Sequence, residues 1–137
     1  MMPSEKRVPK TSGLARAIYL VKSDFGRADG WQIELDGRAV GRLTDPFWED
    51  QFWHSYAVTA NTEDEAPLIR DDQLWSESKF AFRSLGTGET VTYAFCGGGP
   101  PFVREGRILM RRLYLLPNSR LEGLWLTMLQ LLPTRRA

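Results

Sequence analysis

Residues 31–43 constrain this chain more tightly than any other stretch. Trp31-Gln32-Ile33-Glu34-Leu35 alternates strictly between apolar and polar, Asp36-Gly37 follows, and Ala39-Val40-Gly41-Arg42-Leu43 resumes an extended pattern. A period of two belongs to a strand with one buried face. Asp-Gly between two such segments specifies a tight hairpin, because a type I′ turn needs positive φ at both central positions. A slip of one residue would expose Trp31, Ile33 and Leu35 and bury Gln32 and Glu34, so the register is set strongly. The expectation is that Trp31, Ile33 and Leu35 face a core and that Gln32 and Glu34 face water.

Similar short segments recur along the chain. The stretch from Gln51 reads as a strand with Phe52, His54, Tyr56 and Val58 on one face and Trp53, Ser55, Ala57 and Thr59 on the other. Lys79 to Arg83 alternates, Glu89 to Cys96 is β-rich, and Gly106 to Leu116 reads as one long apolar and basic strand. Leu14 to Lys22 is a short apolar run ending at the polar turn Ser23-Asp24-Phe25-Gly26, and it predicts a further strand. Leu68-Ile69 suggests a short edge strand, and Asp71 to Ser78 a loop or one helical turn. Six to eight short segments bounded by turn residues give a mainly β (α+β) fold, an antiparallel sandwich or partial barrel with one C-terminal helix packed on it.

That helix is expected over 119–132. Ser119 can cap it, and Glu122 three residues on completes a capping box. Leu121, Leu124, Trp125, Met128, Leu129 and Leu132 form one stripe at helical spacing, the natural face to lie on a sheet. Leu126 and Leu131 fall opposite it, so the helix is apolar over more than half its circumference. Either a loop or wrapping strands cover that second face, or it is a dimer or partner interface, for which the candidates are Trp125, Leu126 and Leu131.

A chain of 137 residues suits one domain and can bury a sizeable core. Residues 1–13 read as a flexible N-terminal tail, 14–132 as the β-rich domain and 133–137 as a basic tail. Cys96 is the sole cysteine, which rules out an internal disulfide and a multi-cysteine zinc site. A lone thiol and the lack of a signal-like start fit a cytoplasmic protein. The longest apolar stretch, Leu124 to Leu132, is far short of the ~20 residues that cross a membrane.

The net charge of +1 conceals a segregation. Residues 45–77 carry nine acids against Arg70 alone, while residues 101–137 carry seven basic residues against Glu105 and Glu122. Such segments either neutralise one another on neighbouring strands or present charged surfaces to a partner. Arginines near Phe102 and Tyr114 suit phosphates and stacked bases, yet the acidic segment would repel the same ligand and no RNA-recognition motif is present. Nucleic acid is therefore not an expected partner.

Catalytic motifs fail on spacing. No Gly-x-Ser-x-Gly elbow exists, Gly86-Thr87-Gly88 lacks the third glycine of a dinucleotide loop, and Asn61, Glu63 and Glu65 are followed by Ala66-Pro67 where a calcium loop needs glycine. No metal or cofactor is expected. The leading expectation is a non-enzymatic interaction domain, self-associating or partner-binding. One alternative is a small-molecule site with an aromatic wall of Trp48, Trp53, His54 and Tyr56. The other is an enzyme using His54, the sole histidine, with a carboxylate from Asp45, Glu49 or Asp50.

Overall fold

A computed structural model describes residues 13–131. The expected tails fall outside these residues except for Gly13, as does Leu132. Seven strands form one sheet: β1 (Trp31–Leu35), β2 (Arg38–Asp50), β3 (Trp53–Ala60), β4 (Phe80–Ser84), β5 (Thr90–Val91), β6 (Phe95–Cys96) and β7 (Arg107–Arg111). Four helices accompany them: α1 (Leu14–Lys22), α2 (Ala66–Ile69), α3 (Asp72–Ser76) and α4 (Arg120–Leu131). The sheet order is β5-β4-β1-β2-β3-β7-β6, and every pairing is antiparallel.

The order explains the curvature. β5 and β6 are the two edges of the seven-stranded sheet, yet only Thr92 to Ala94 separate them in the chain. Laid flat at about 4.8 Å per strand, those edges would lie roughly 29 Å apart. The four residue steps from Val91 to Phe95 reach at most about 14 Å. The sheet therefore curls into a partial barrel. The β-rich stretch expected as one strand over Glu89–Cys96 is divided between the two edges.

The β1–β2 hairpin follows its sequence signal. Asp36 and Gly37 both take positive φ, at 53° and 80°. Trp31 and Ile33 are fully buried and Leu35 packs at the margin of the core. Glu34 is on the opposite face as expected, but it is also buried, beneath Arg83, whose Nε donates to it at 2.7 Å. The inward rows continue across the sheet through Phe80, Phe82, Leu43, Tyr56, Ile108 and Met110. Trp75 of α3 closes one end, tilted against Phe80 and stacked on Phe82, and its Nε1 donates to the Ile69 carbonyl at 2.7 Å.

Three local expectations are corrected. Leu14–Lys22 is a helix, not a strand. A nine-residue apolar run does not reveal its period reliably, and here Ala17 and Leu20 pack inward at helical spacing. Leu68-Ile69 belongs to α2 rather than to an edge strand, with Pro67 in its first turn. The last strand stops at Arg111, because Arg112 turns to φ 67° and breaks the ladder.

The C-terminal helix is where expected, but it packs on a different face. Glu122 and Leu126 are buried, with Trp125 and Leu129 packed beside them, while Leu121, Leu124 and Met128 of the expected stripe are exposed. The cause is a buried ion cluster. Arg16 of α1, 2% exposed, donates through Nη1 to Glu122 at 2.5 Å and through Nη2 and Nε to Glu89 at 2.5 and 3.0 Å. It also donates to the Leu116 carbonyl at 2.9 Å. The Glu122 carboxylate accepts from the backbone of Gly13 and Asn118 as well. Ser119 does cap the helix, through its hydroxyl accepting from Glu122 N–H at 3.1 Å. Burial lowers the Arg16 pKa, but hydrogen bonds and charge from Glu89 and Glu122 outweigh it and leave the guanidinium above its ordinary value.

Glu122→Ala strips Arg16 of its most deeply buried partner and should cost about 3–5 kcal/mol, because it leaves a desolvated charge incompletely paired. Urea unfolding measures this. A loss no larger than that of an exposed surface substitution would show that the cluster does not hold α1 to α4.

Candidate functional site

The four residues of the expected aromatic wall are not brought together. His54 and Tyr56 share the inward row of β3, as their alternation predicts. Trp53 lies on the other face of the sheet, packed edge-on against Phe95 with centroids 6.1 Å apart. Trp48 pairs with His54 in register but is 63% exposed near the β2–β3 turn. Tyr56 is a core residue: burial pushes its hydroxyl up to about 12, against the opposing effects of Trp31 and Arg27. Its Oη and the nearby Trp31 Nε1 make no well-formed hydrogen bond among the described residues.

Trp53 has a structural task instead. With Phe52 and Phe95 it surrounds Arg111, whose guanidinium lies 4.7 Å from the Phe52 ring and 5.8 Å from each of the other two. The indole also fixes the neighbouring loop, since a Cβ on Gly97 would come within 2.5 Å of its ring. This is why the Gly97-Gly98-Gly99 run begins with glycine.

The expected acid–base pairing is not assembled either. Asp45 binds Arg107 at 3.0 Å, Glu49 accepts from Ser55 Oγ at 2.8 Å, and Asp50 accepts from the Gln51 backbone at 2.6 Å. No carboxylate hydrogen-bonds to His54 among the described residues. Cys96 sits across Met110 from His54, two strands or about 10 Å away. Burial pushes its thiol up to about 11, which leaves it protonated at neutral pH. Among the described residues no group of three or more His, Cys, Asp or Glu side chains is placed to hold a metal ion.

The structure instead gathers a cationic group that sequence reading missed. Arg27, Arg111 and Arg112 line an 80 Å³ cavity with Gln51, Phe52, His54 and Tyr114, and no acid among the described residues lines it. Burial, and then the charge of Arg27, hold the His54 imidazole below its ordinary pKa, with Asp24 opposing weakly. The signal was hidden because Arg27 comes from a 3₁₀ turn after α1, far in sequence from Arg111 and Arg112.

A second feature is the outer surface of the helix pair. Leu14, Ile18 and Val21 of α1 recur at helical spacing and are all exposed. On α4, Leu121, Leu124, Met128 and Leu131 form another exposed stripe, with Leu131 78% exposed. Leu126, an expected interface residue, is 6% exposed and belongs to the core; Trp125 packs partly buried against it. Of the three expected interface residues, Leu131 alone lies in the open. Among the described residues no helix is long and apolar enough to cross a membrane.

Compared with protein-family models, with curated proteins and with solved structures, the chain gives no match.

Because the folded state holds His54 neutral, it binds fewer protons than the unfolded chain just below the unfolded pKa. His54 therefore contributes stability that is fully present above about pH 6.5 and is lost as pH falls through the depressed folded value. His54→Gln should flatten the decline in urea midpoint on acidification through this range. An unchanged pH profile would remove His54 as its source.

Proposed function

We propose that the chain is a non-enzymatic interaction domain that pairs with a second copy of itself through the outer face of α1 and α4. The observation that carries this reading is the pair of exposed stripes, three large aliphatic residues on α1 and four large apolar residues on α4, on helices packed against each other. Exposed apolar surface of this kind costs free energy in water and commonly marks an interface.

A self-complementary contact is the simplest occupant, since a two-fold axis lets each stripe meet its own copy and closes the assembly. The helices also suit this task electrostatically. Glu122, the acid of α4, is buried and paired with Arg16, so it brings no unpaired charge to the contact.

Sedimentation velocity over a wide concentration range tests the proposal. The parent should run as a dimer, and Leu124→Glu with Met128→Glu should run as a monomer with unchanged circular dichroism. A monomeric parent at every concentration, or a double variant of unchanged size, overturns the reading. Leu126→Ala provides the contrast: it should cost about 2–5 kcal/mol in unfolding free energy as a core truncation.

A further inference from the structure

Arg27 and Tyr114 form a shared wall between two cavities beside the β2–β3 turn. On one side is the 80 Å³ cationic cavity of Arg27, Arg111, Arg112 and His54. On the other is a 210 Å³ cavity lined by Phe25, Leu115, Leu116 and Pro117. We propose that the two together form a binding site for an amphiphilic anion, with a phosphate or carboxylate head among the arginines and a short hydrocarbon chain against Phe25 and Leu116.

The charge argument comes first. Three arginines and His54 line the smaller cavity, and among the described residues the acid paired with one of them is Asp24, 3.2 Å from Arg27. Arg111 and Arg112 have no acidic partner among the described residues. Arg111 is held in place by Phe52, Trp53 and Phe95, so part of its conformational entropy is already spent before any ligand arrives. Arg112 is exposed and makes no hydrogen bond or ion pair among the described residues, which leaves its donors free for an anion.

The apolar half decides the class of anion. Inorganic phosphate would use the arginines alone and leave Phe25, Leu116 and Pro117 uncovered. A hydrocarbon chain attached to the head crosses the Arg27–Tyr114 wall, where the guanidinium lies 5.1 Å from the ring centroid. It then removes apolar surface from water on the far side. This site is separate from the exposed stripes of α1 and α4, and it stands whether or not those helices pair.

His54 reports on the head group without ambiguity, because the chain has a single histidine. The charged groups acting on it are Arg27 and Asp24, with Arg111, Arg112 and the Tyr114 hydroxyl lining the same cavity. An anion beside the imidazole favours its protonated form, so binding should raise the depressed His54 pKa and tighten as pH falls.

The experiment is a titration of untagged protein with octyl phosphate, below its micelle concentration, and in parallel with inorganic phosphate, following the His54 Cε1–H resonance. Octyl phosphate should shift that resonance saturably and bind roughly tenfold or more tightly than inorganic phosphate. Arg112→Gln, at an exposed position, should weaken both ligands, whereas Leu116→Ser, which removes apolar surface without adding charge, should weaken octyl phosphate alone. Vesicles of phosphatidylglycerol, assayed by flotation, offer a phosphate head in a bilayer and separate a lipid source from a free amphiphile. Equal affinity for the two phosphates, a stationary His54 resonance, or flotation without any response to monomeric octyl phosphate each overturns the site.

Discussion

The arrangement of both long helices depends on one buried cation. Arg16 holds Glu89 from the loop before β5, Glu122 from α4 and the carbonyl of Leu116. Burying a guanidinium and a carboxylate is expensive, and the geometry must be nearly complete to offset the desolvation. Here every guanidinium nitrogen of Arg16 has a partner, and Glu122 also satisfies two backbone N–H groups. The consequence is directional. Once residue 122 must point inward, Leu126 follows it one turn later and Leu129 two turns later, so Leu121, Leu124 and Met128 are carried outward. An apolar core contact at position 122 would free α4 to roll onto its greasier side, and the exposed stripe of α4 would turn inward. Ion pairs of this kind fix orientation more than they add stability, and the exposed helix face here is a product of that choice.

The second constraint is the short link between the edge strands. With Thr92–Ala94 joining opposite edges, the sheet cannot open flat, and Ala94 is itself buried as the chain crosses. Curling draws β7 and the segment after it around the core, where Leu113 and Leu115 pack inward. Arg112 lies between the strand and these anchors and is turned outward at positive φ. The same passage brings Leu115 N–H onto the Phe25 carbonyl at 2.8 Å, which ties the end of the sheet to the turn after α1. The proximity of Arg27 to Arg111 and Arg112 therefore results from barrel curvature, not from any local motif.

This explains which parts were legible in the sequence. The β1–β2 hairpin was readable because Asp36-Gly37 and the Trp31–Leu35 alternation are local and mutually consistent. The inward placement of His54 and Tyr56 followed from period two alone. Joining them with Trp48 and Trp53 into one wall failed, because adjacent residues on a strand point to opposite faces. The face of α4 was misread because summed hydrophobicity favours Leu121, Leu124 and Met128, whereas the deciding partner of Glu122 lies at residue 16. A capping-box glutamate and a buried ion-pair glutamate look identical in sequence, and Leu14–Lys22 was too short to declare its period. The cationic cavity depends on contacts between residues more than eighty positions apart, which no spacing rule encodes.

The segregated charge of the chain takes on meaning in three dimensions. Part of it cancels between neighbours, as where Arg107 of β7 reaches Asp45 of β2 and the Ser55 carbonyl of β3. The rest separates along the strands. Glu63, Asp64 and Glu65 follow the end of β3 at Ala60, while Arg111 pairs in register with Trp53 at its beginning. Glu49 and Asp50 also lie near that beginning and keep their charge, since each accepts from a neutral donor, but neither lines the cavity between Arg27 and Arg112. An approaching anion would thus meet repulsion near the acidic turn and attraction at the arginine-lined cavity. A field of this form guides a charged ligand by orientation as well as by contact. Such steering weakens as salt rises, whereas burial of a hydrocarbon chain does not, so the two halves of the proposed site are physically separable within one ligand.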